Sequence, residues 1–103
     1  MIHVLAEIEI ADGQRDAFLV EFHKIVPAVR QEAGCIEYGP AIDAATEIGS
    51  QLVNPNVVTV IEKWESVEHL NAHLVAPHMS EYREKVKDLV QGLRLKVLEP
   101  HSG

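Results

Sequence analysis

Residues 57–78 read VVTVIEKWESVEHLNAHLVAPH and carry a strand straight into a helix. Apolar and polar side chains alternate, so Val58, Val60, Glu62 and Trp64 share one strand face. Thr59, Ile61, Lys63 and Glu65 take the other. Ser66 is a residue type suited to a helix N-cap, and Glu68 stands in the first turn, where the helix dipole favours negative charge. His73 and His78 bracket the end of this helix. A carboxylate and the only tryptophan on an otherwise apolar face, beside two imidazoles, describe a pocket wall better than plain core. On that ground the chain reads as a small enzyme.

Upstream, residues 2–10 alternate as a first strand, with Ile2, Val4, Ala6, Ile8 and Ile10 on its core face. Asp12-Gly13 breaks it, and a helix is expected over residues 14–32 with the stripe Phe18, Phe22, Ile25 or Val26, and Val29. Pro27 lies inside and is expected to kink or split that helix, and Gly34 to cap it. Residues 35–43 form a second strand, which Gly39-Pro40 assigns to an edge. Residues 44–56 have no period, and a loop of that length in a compact domain is often functional.

Downstream, Ala76-Pro77 interrupts the helical pattern, and Pro77 suits the first turn of a new helix over about residues 78–91. Its stripe is Met79, Tyr82, Val86 and Leu89. Gly92 is expected to end it, residues 93–99 to form the fourth strand, and residues 100–103 to fray. Strand, helix, strand, strand, helix, strand is the ferredoxin-like βαββαβ order, an α+β fold with both helices on one sheet face. On the other face Leu5, Ala41, Thr59 and Ile61 mix with Glu7, Glu37 and Lys63. A half-apolar uncovered face is a dimer signal, so two sheets packed face to face in a homodimer are expected.

The 103 residues suit one domain spanning the chain. A formal charge of -7, with nine scattered Lys and Arg, leaves no basic face for nucleic acid. No apolar run reaches the length of a membrane span and the N-terminus does not resemble a signal peptide, so the protein is expected in the cytoplasm. Cys35 is the only cysteine, which excludes an internal disulfide and reads as a small buried hydrophobe. His69 and His73 have the spacing of a helical metal pair, but no HExxH pattern or third ligand accompanies them, and no metal is expected. His3, His23 and His101 read as surface. Residues 81–87 read as a solvated charged helix face, with Arg83 beside the apolar stripe and not turned inward.

Several segments resemble the antibiotic biosynthesis monooxygenase family, and most of all its bacterial quinol monooxygenases. They are AEI at 6–8, KIVPAV at 24–29, EAGCIEYGPAID at 32–43, IEKWESVEHLNAHLVAPHM at 61–79 and LRLKVLEP at 93–100. The resemblance implies a dimeric α+β barrel. It further implies oxidation of a quinol or polycyclic hydroxyaromatic to a quinone by molecular oxygen, without flavin, haem or metal. A haem-degrading branch carries an asparagine on strand one where this chain has Ala6. Related barrels also isomerise small phosphorylated keto sugars, and others bind ligands without turnover; those readings stay as alternatives.

Oxygenation without a cofactor needs a base that ionises the substrate, a dry apolar pocket, and a group that steadies developing charge. His73 and His78 are the candidate bases, since imidazole titrates near neutrality. Glu62 is positioned to set a histidine tautomer or accept a quinol hydroxyl, and Trp64 to stack on a flat ring. Tyr38 and Tyr82 can each reach a ligand oxygen. The plainer alternatives are a core tryptophan, wall tyrosines, a His78 that buttresses the helix break and a surface His73. The pocket is expected between the helices and the Trp64 face, with residues 44–56 as its lid.

Overall fold

The computed structural model describes residues 1–102 and contains four strands and three helices. In chain order they are β1 (Ile2–Ile10), α1 (Arg15–Arg30), β2 (Cys35–Ala41), β3 (Val57–Trp64), α2 (Val67–Leu74), α3 (Pro77–Val86) and β4 (Val90–Leu98). The strands form one antiparallel sheet in the order β2-β3-β1-β4. This is the expected ferredoxin-like α+β fold, with its second helix divided at Pro77. The Gly39-Pro40 strand is indeed an edge.

Alternation decides which face of each strand is covered. Ile2, Val4, Ala6, Ile8 and Ile10 of β1 and Val58, Val60, Glu62 and Trp64 of β3 are all buried beneath the helices. Phe18, Phe22, Val26 and Val29 bury one stripe of α1, so Val26 and not Ile25 completes it. Phe22 stacks on Tyr38 at 5.7 Å between ring centroids and meets Tyr82 edge-on at 5.8 Å, joining α1, β2 and α3 in one aromatic cluster.

Three expectations about the elements need correction. Helix α1 is not split: it runs unbroken through Pro27 to Arg30. The prolyl ring lies on the exposed side in the last turn, where only one internal hydrogen bond is lost. Helix α3 ends at Val86, and Gly92 lies inside β4 opposite Glu9. The chain leaves the helix early because Leu89 N donates to Val86 O, and Ala11 N then ties Leu89 O to the end of β1. Residues 44–56 are no lid on this chain's own cavity, whose wall contains none of them. They are held beside the β1–α1 turn by Asn56, which donates to Asp12 and accepts from Gly13 N.

The helices do not cover the whole sheet. Helix α1 packs on β2 and α3, and α2 packs on β3. Leu93, Leu95 and Val97 of β4 pair with Ile8, Ala6 and Val4, on the helix side of the sheet, yet remain 62%, 45% and 46% exposed. On the far side Leu5 and Ile61, register partners across β1 and β3, are also exposed.

Candidate active site

The turn after α1 places a carboxylate where the sequence pointed to none. Glu32 N donates to Val29 O, and Gly34 turns the chain with φ +80° into β2. Gly34 O accepts Glu65 N at 2.9 Å, which pins this turn against the start of α2. Ser66 caps α2 as expected, its Oγ accepting His69 N. The ring of His69 lies directly over Gly34, leaving no room for a Cβ there. The 31–34 turn and α2 are therefore locked side by side.

That lock brings Glu32 to both histidines. His73 Nδ1 lies 3.0 Å from Glu32 Oε2, and His78 Nε2 lies 2.7 Å from the same oxygen. Exposure rises along the chain of contacts, from 2% at His73 through 14% at Glu32 to 31% at His78. Burial lowers the His73 pKa below the usual imidazole value, and the Glu32 carboxylate opposes that shift without cancelling it. His73 is thus a neutral imidazole near pH 7. With Nδ1–H directed at Glu32, the nitrogen left to accept a proton is Nε2.

Glu62 has a different partner. Its Oε1 accepts Trp64 Nε1–H at 2.9 Å, a bond between neighbours on one strand face. Burial pushes the Glu62 carboxyl up to about 7, with the Glu32 charge adding to the rise and the indole bond opposing it. The expectation that Glu62 sets a histidine tautomer is corrected: Glu32 makes that contact. Burial also raises the phenols of Tyr38 and Tyr82, so both remain hydroxyl donors at neutral pH.

A cavity of about 380 Å³ lies between the helices and the sheet, within the roughly 300–1,000 Å³ usual for small-molecule sites. Glu62, His73, Tyr38 and Tyr82 line it. The rest of the wall is largely apolar, from Ala6 and Ile8 to Leu93 and Leu95, and the exposed face of β4 leaves it open on one side. Two expected residues are not in the wall. Trp64 is fully buried behind it, its ring 4.7 Å from that of His73, so the indole backs the imidazole and does not meet a ligand directly. His78 lies on the outer side, in a surface recess with Lys24, Ile25 and Glu81. Arg83, read from the sequence as facing away, does line the cavity. No group of three or more His, Cys, Asp or Glu is placed to hold a metal ion among the described residues.

Glu32 had no usable signal in the sequence, because its partners lie 41 and 46 residues away across a turn. Arg83 had a weak one, as the immediate neighbour of the inward Tyr82.

A ferredoxin-like sheet with a neutral histidine and a raised carboxyl on an apolar cavity describes a class of small α+β proteins with ionisable groups on an internal cavity. The chain belongs to the antibiotic biosynthesis monooxygenase family, whose family model matches residues 1–85. It is 44% identical to the probable quinol monooxygenase YgiN of Escherichia coli K12 over 102 residues, covering 97% of this chain and 98% of that protein. Among solved structures it is similar to PA3566 from Pseudomonas aeruginosa, with a TM-score of 0.82, 23% identity and coverage of 98% and 94%. A protein from Methanosarcina mazei superposes with a TM-score of 0.80 at 20% identity, covering 97% and 92%. At those identities the structures speak for the fold alone.

Proposed function

We propose that this protein is a quinol monooxygenase that uses molecular oxygen and no flavin, haem or metal, acting on a quinol or polycyclic hydroxyaromatic. The observation that carries the reading is His73: a neutral base on an apolar cavity, with one ring nitrogen held by Glu32 and the other free to accept. The near-full-length similarity to a probable quinol monooxygenase supports the substrate class.

In this mechanism a flat ring system enters with one hydroxyl toward His73 Nε2, which takes the phenolic proton. The Glu32 carboxylate stabilises the imidazolium that forms. The resulting anion is electron-rich enough to pass an electron to oxygen. Loss of a second proton and transfer of a second electron to the same oxygen complete the quinone, and the oxygen leaves with the two protons as hydrogen peroxide. Glu62, once ionised, accepts the second hydroxyl proton. Tyr38 and Tyr82 donate to the substrate oxygens, and Trp64 acts from behind by holding both His73 and Glu62. His78 supports Glu32 from the outer surface and is not the base. A phosphorylated sugar, with hydroxyls on most of its carbons, finds few hydrogen-bond partners on a wall that is largely apolar.

The reading includes a homodimer, because the exposed Leu5–Ile61 pair and the open side of β4 are apolar surfaces that a second copy would cover. A cytoplasmic setting completes the proposal; no helix among the described residues is long and apolar enough to cross a membrane.

The test is oxygen uptake by protein freed of metal and flavin, with a reduced naphthoquinone as substrate and autoxidation subtracted. Replacing His73 with Ala should lower the rate by about 10²–10⁴-fold while circular dichroism stays native. A wild-type rate in His73→Ala removes His73 as the base. No uptake above the blank in the parent protein removes quinol oxidation itself.

A further inference from the structure

Of the nine Lys and Arg in this chain, Lys24, Lys63 and Lys87 form ion pairs among the described residues, and only two of the nine, Arg83 and Lys87, line the cavity. Of these two, Lys87 is paired: its Nζ donates to Glu84 Oε1 at 2.6 Å. Arg83 is not. One turn earlier on α3 it lines the same cavity, yet it makes no ion pair among the described residues. An unpaired guanidinium over an apolar wall, in an acidic protein, is a ready receptor for a ligand anion.

We propose that the ligand of this cavity is a fused aromatic bearing a ring carboxylate, received by the Arg83 guanidinium while a ring hydroxyl faces His73. The inference rests on the quinol reading for the ring chemistry and adds the charged substituent. The Arg83 charge also reaches the acid–base groups. It adds to the desolvation that lowers His73, and it opposes the burial that raises Tyr82. Both groups therefore share a field with Arg83 across one cavity. A planar carboxylate matches the guanidinium fork with two parallel hydrogen bonds. A phosphate fits less well, since its tetrahedral oxygens do not match the planar fork, and the wall beside Arg83 is largely apolar and includes the Glu62 carboxyl.

The experiment has two arms. The first is anaerobic calorimetry with 1-hydroxy-2-naphthoate and 1-naphthol, which share a ring and a hydroxyl and differ in the carboxylate. The naphthoate should bind about tenfold or more tightly, the scale of one charge-assisted hydrogen-bonded pair. Arg83→Gln should erase the preference and Arg83→Lys should retain part of it, each with a parental melting curve. Equal or tighter binding of 1-naphthol by the parent protein would overturn the proposal. So would a preference that survives Arg83→Gln, or the absence of binding by either compound.

The second arm compares oxygen uptake with 1,4-dihydroxy-2-naphthoate and 1,4-dihydroxynaphthalene. The ratio of their kcat/KM values should fall about tenfold in Arg83→Gln, consistent with the binding loss. An unchanged ratio would overturn the assignment of Arg83. If neither quinol is consumed while the binding preference holds, quinol oxidation fails and the ligand class stands.

Discussion

Glu32 is a carboxylate between two imidazoles, and the two halves of that contact differ. Toward His73 it sets the tautomer of a buried ring; toward His78 it meets a group that water also reaches. Glu32→Gln keeps the volume but removes the charge, and should lower kcat/KM by about 10–100-fold, the worth of a charge-assisted hydrogen bond. Oxygen uptake measures it, and an unchanged rate would show that His73 needs no orienting partner. Glu62 makes a separate prediction. Its folded-state pKa of about 7 stands above the ordinary 4.5, so the stability linked to it is full below pH 4.5 and is lost as pH rises through 7. Glu62→Gln keeps an acceptor for the Trp64 indole and should remove that loss. Its melting temperature should gain on the parent protein between pH 5 and pH 8. His73 acts oppositely: its lowered pKa gives stability that is present above 6.5 and lost as pH falls through the folded value. If both groups must lose their protons for turnover, kcat/KM climbs to a plateau with a midpoint near 7. In Glu62→Gln the midpoint should move below 6.5, and a midpoint that stays at 7 would exclude Glu62 from the reaction.

At the scale of the element, the site depends on where helices start and stop. Most of this was legible, because caps and breakers act locally: Ser66 begins α2, Pro77 begins α3, and Gly34 has the positive φ its position required. Gly34→Ala meets both an unfavourable backbone region and the His69 ring, and should destabilise the protein by more than about 1 kcal/mol. Urea unfolding should show this, with a smaller effect for Gly92→Ala. There the added methyl meets chiefly the flexible end of Glu9 and the backbone needs no positive φ. The misplaced end of α3 has a different character. Residues 87–91 can continue a helical stripe, but pairing of Val90 with Ile10 on β1 takes them into the sheet. Strand pairing at long range outweighs a local helical pattern of that length.

For the molecule as a whole, three helices leave the β4 side and the far sheet face uncovered, and apolar residues stand exposed on both. Leu5 and Ile61 face away from the helices, and the β4 side of the cavity is open. Light scattering should therefore find a dimer. Combined Leu5→Glu and Ile61→Glu should shift it toward monomer, because like charges at facing register partners are costly to bury. A parent protein that is monomeric at micromolar concentration would remove the dimer from the proposal.

The amino-acid sequence by itself determined the strand and helix order, the buried face of each element and the placing of Glu62, Tyr38 and Tyr82 toward one pocket. Those are consequences of period two in strands and 3.6 in helices, written in neighbouring residues. Only the tertiary structure decided that Glu32 serves both histidines, that Trp64 stands behind the wall and that Arg83 reaches the cavity. Each of these is a distance between side chains remote in sequence or carried on different elements, set by how the elements pack. Periodicity assigns a residue to a face and leaves open which other face it will meet.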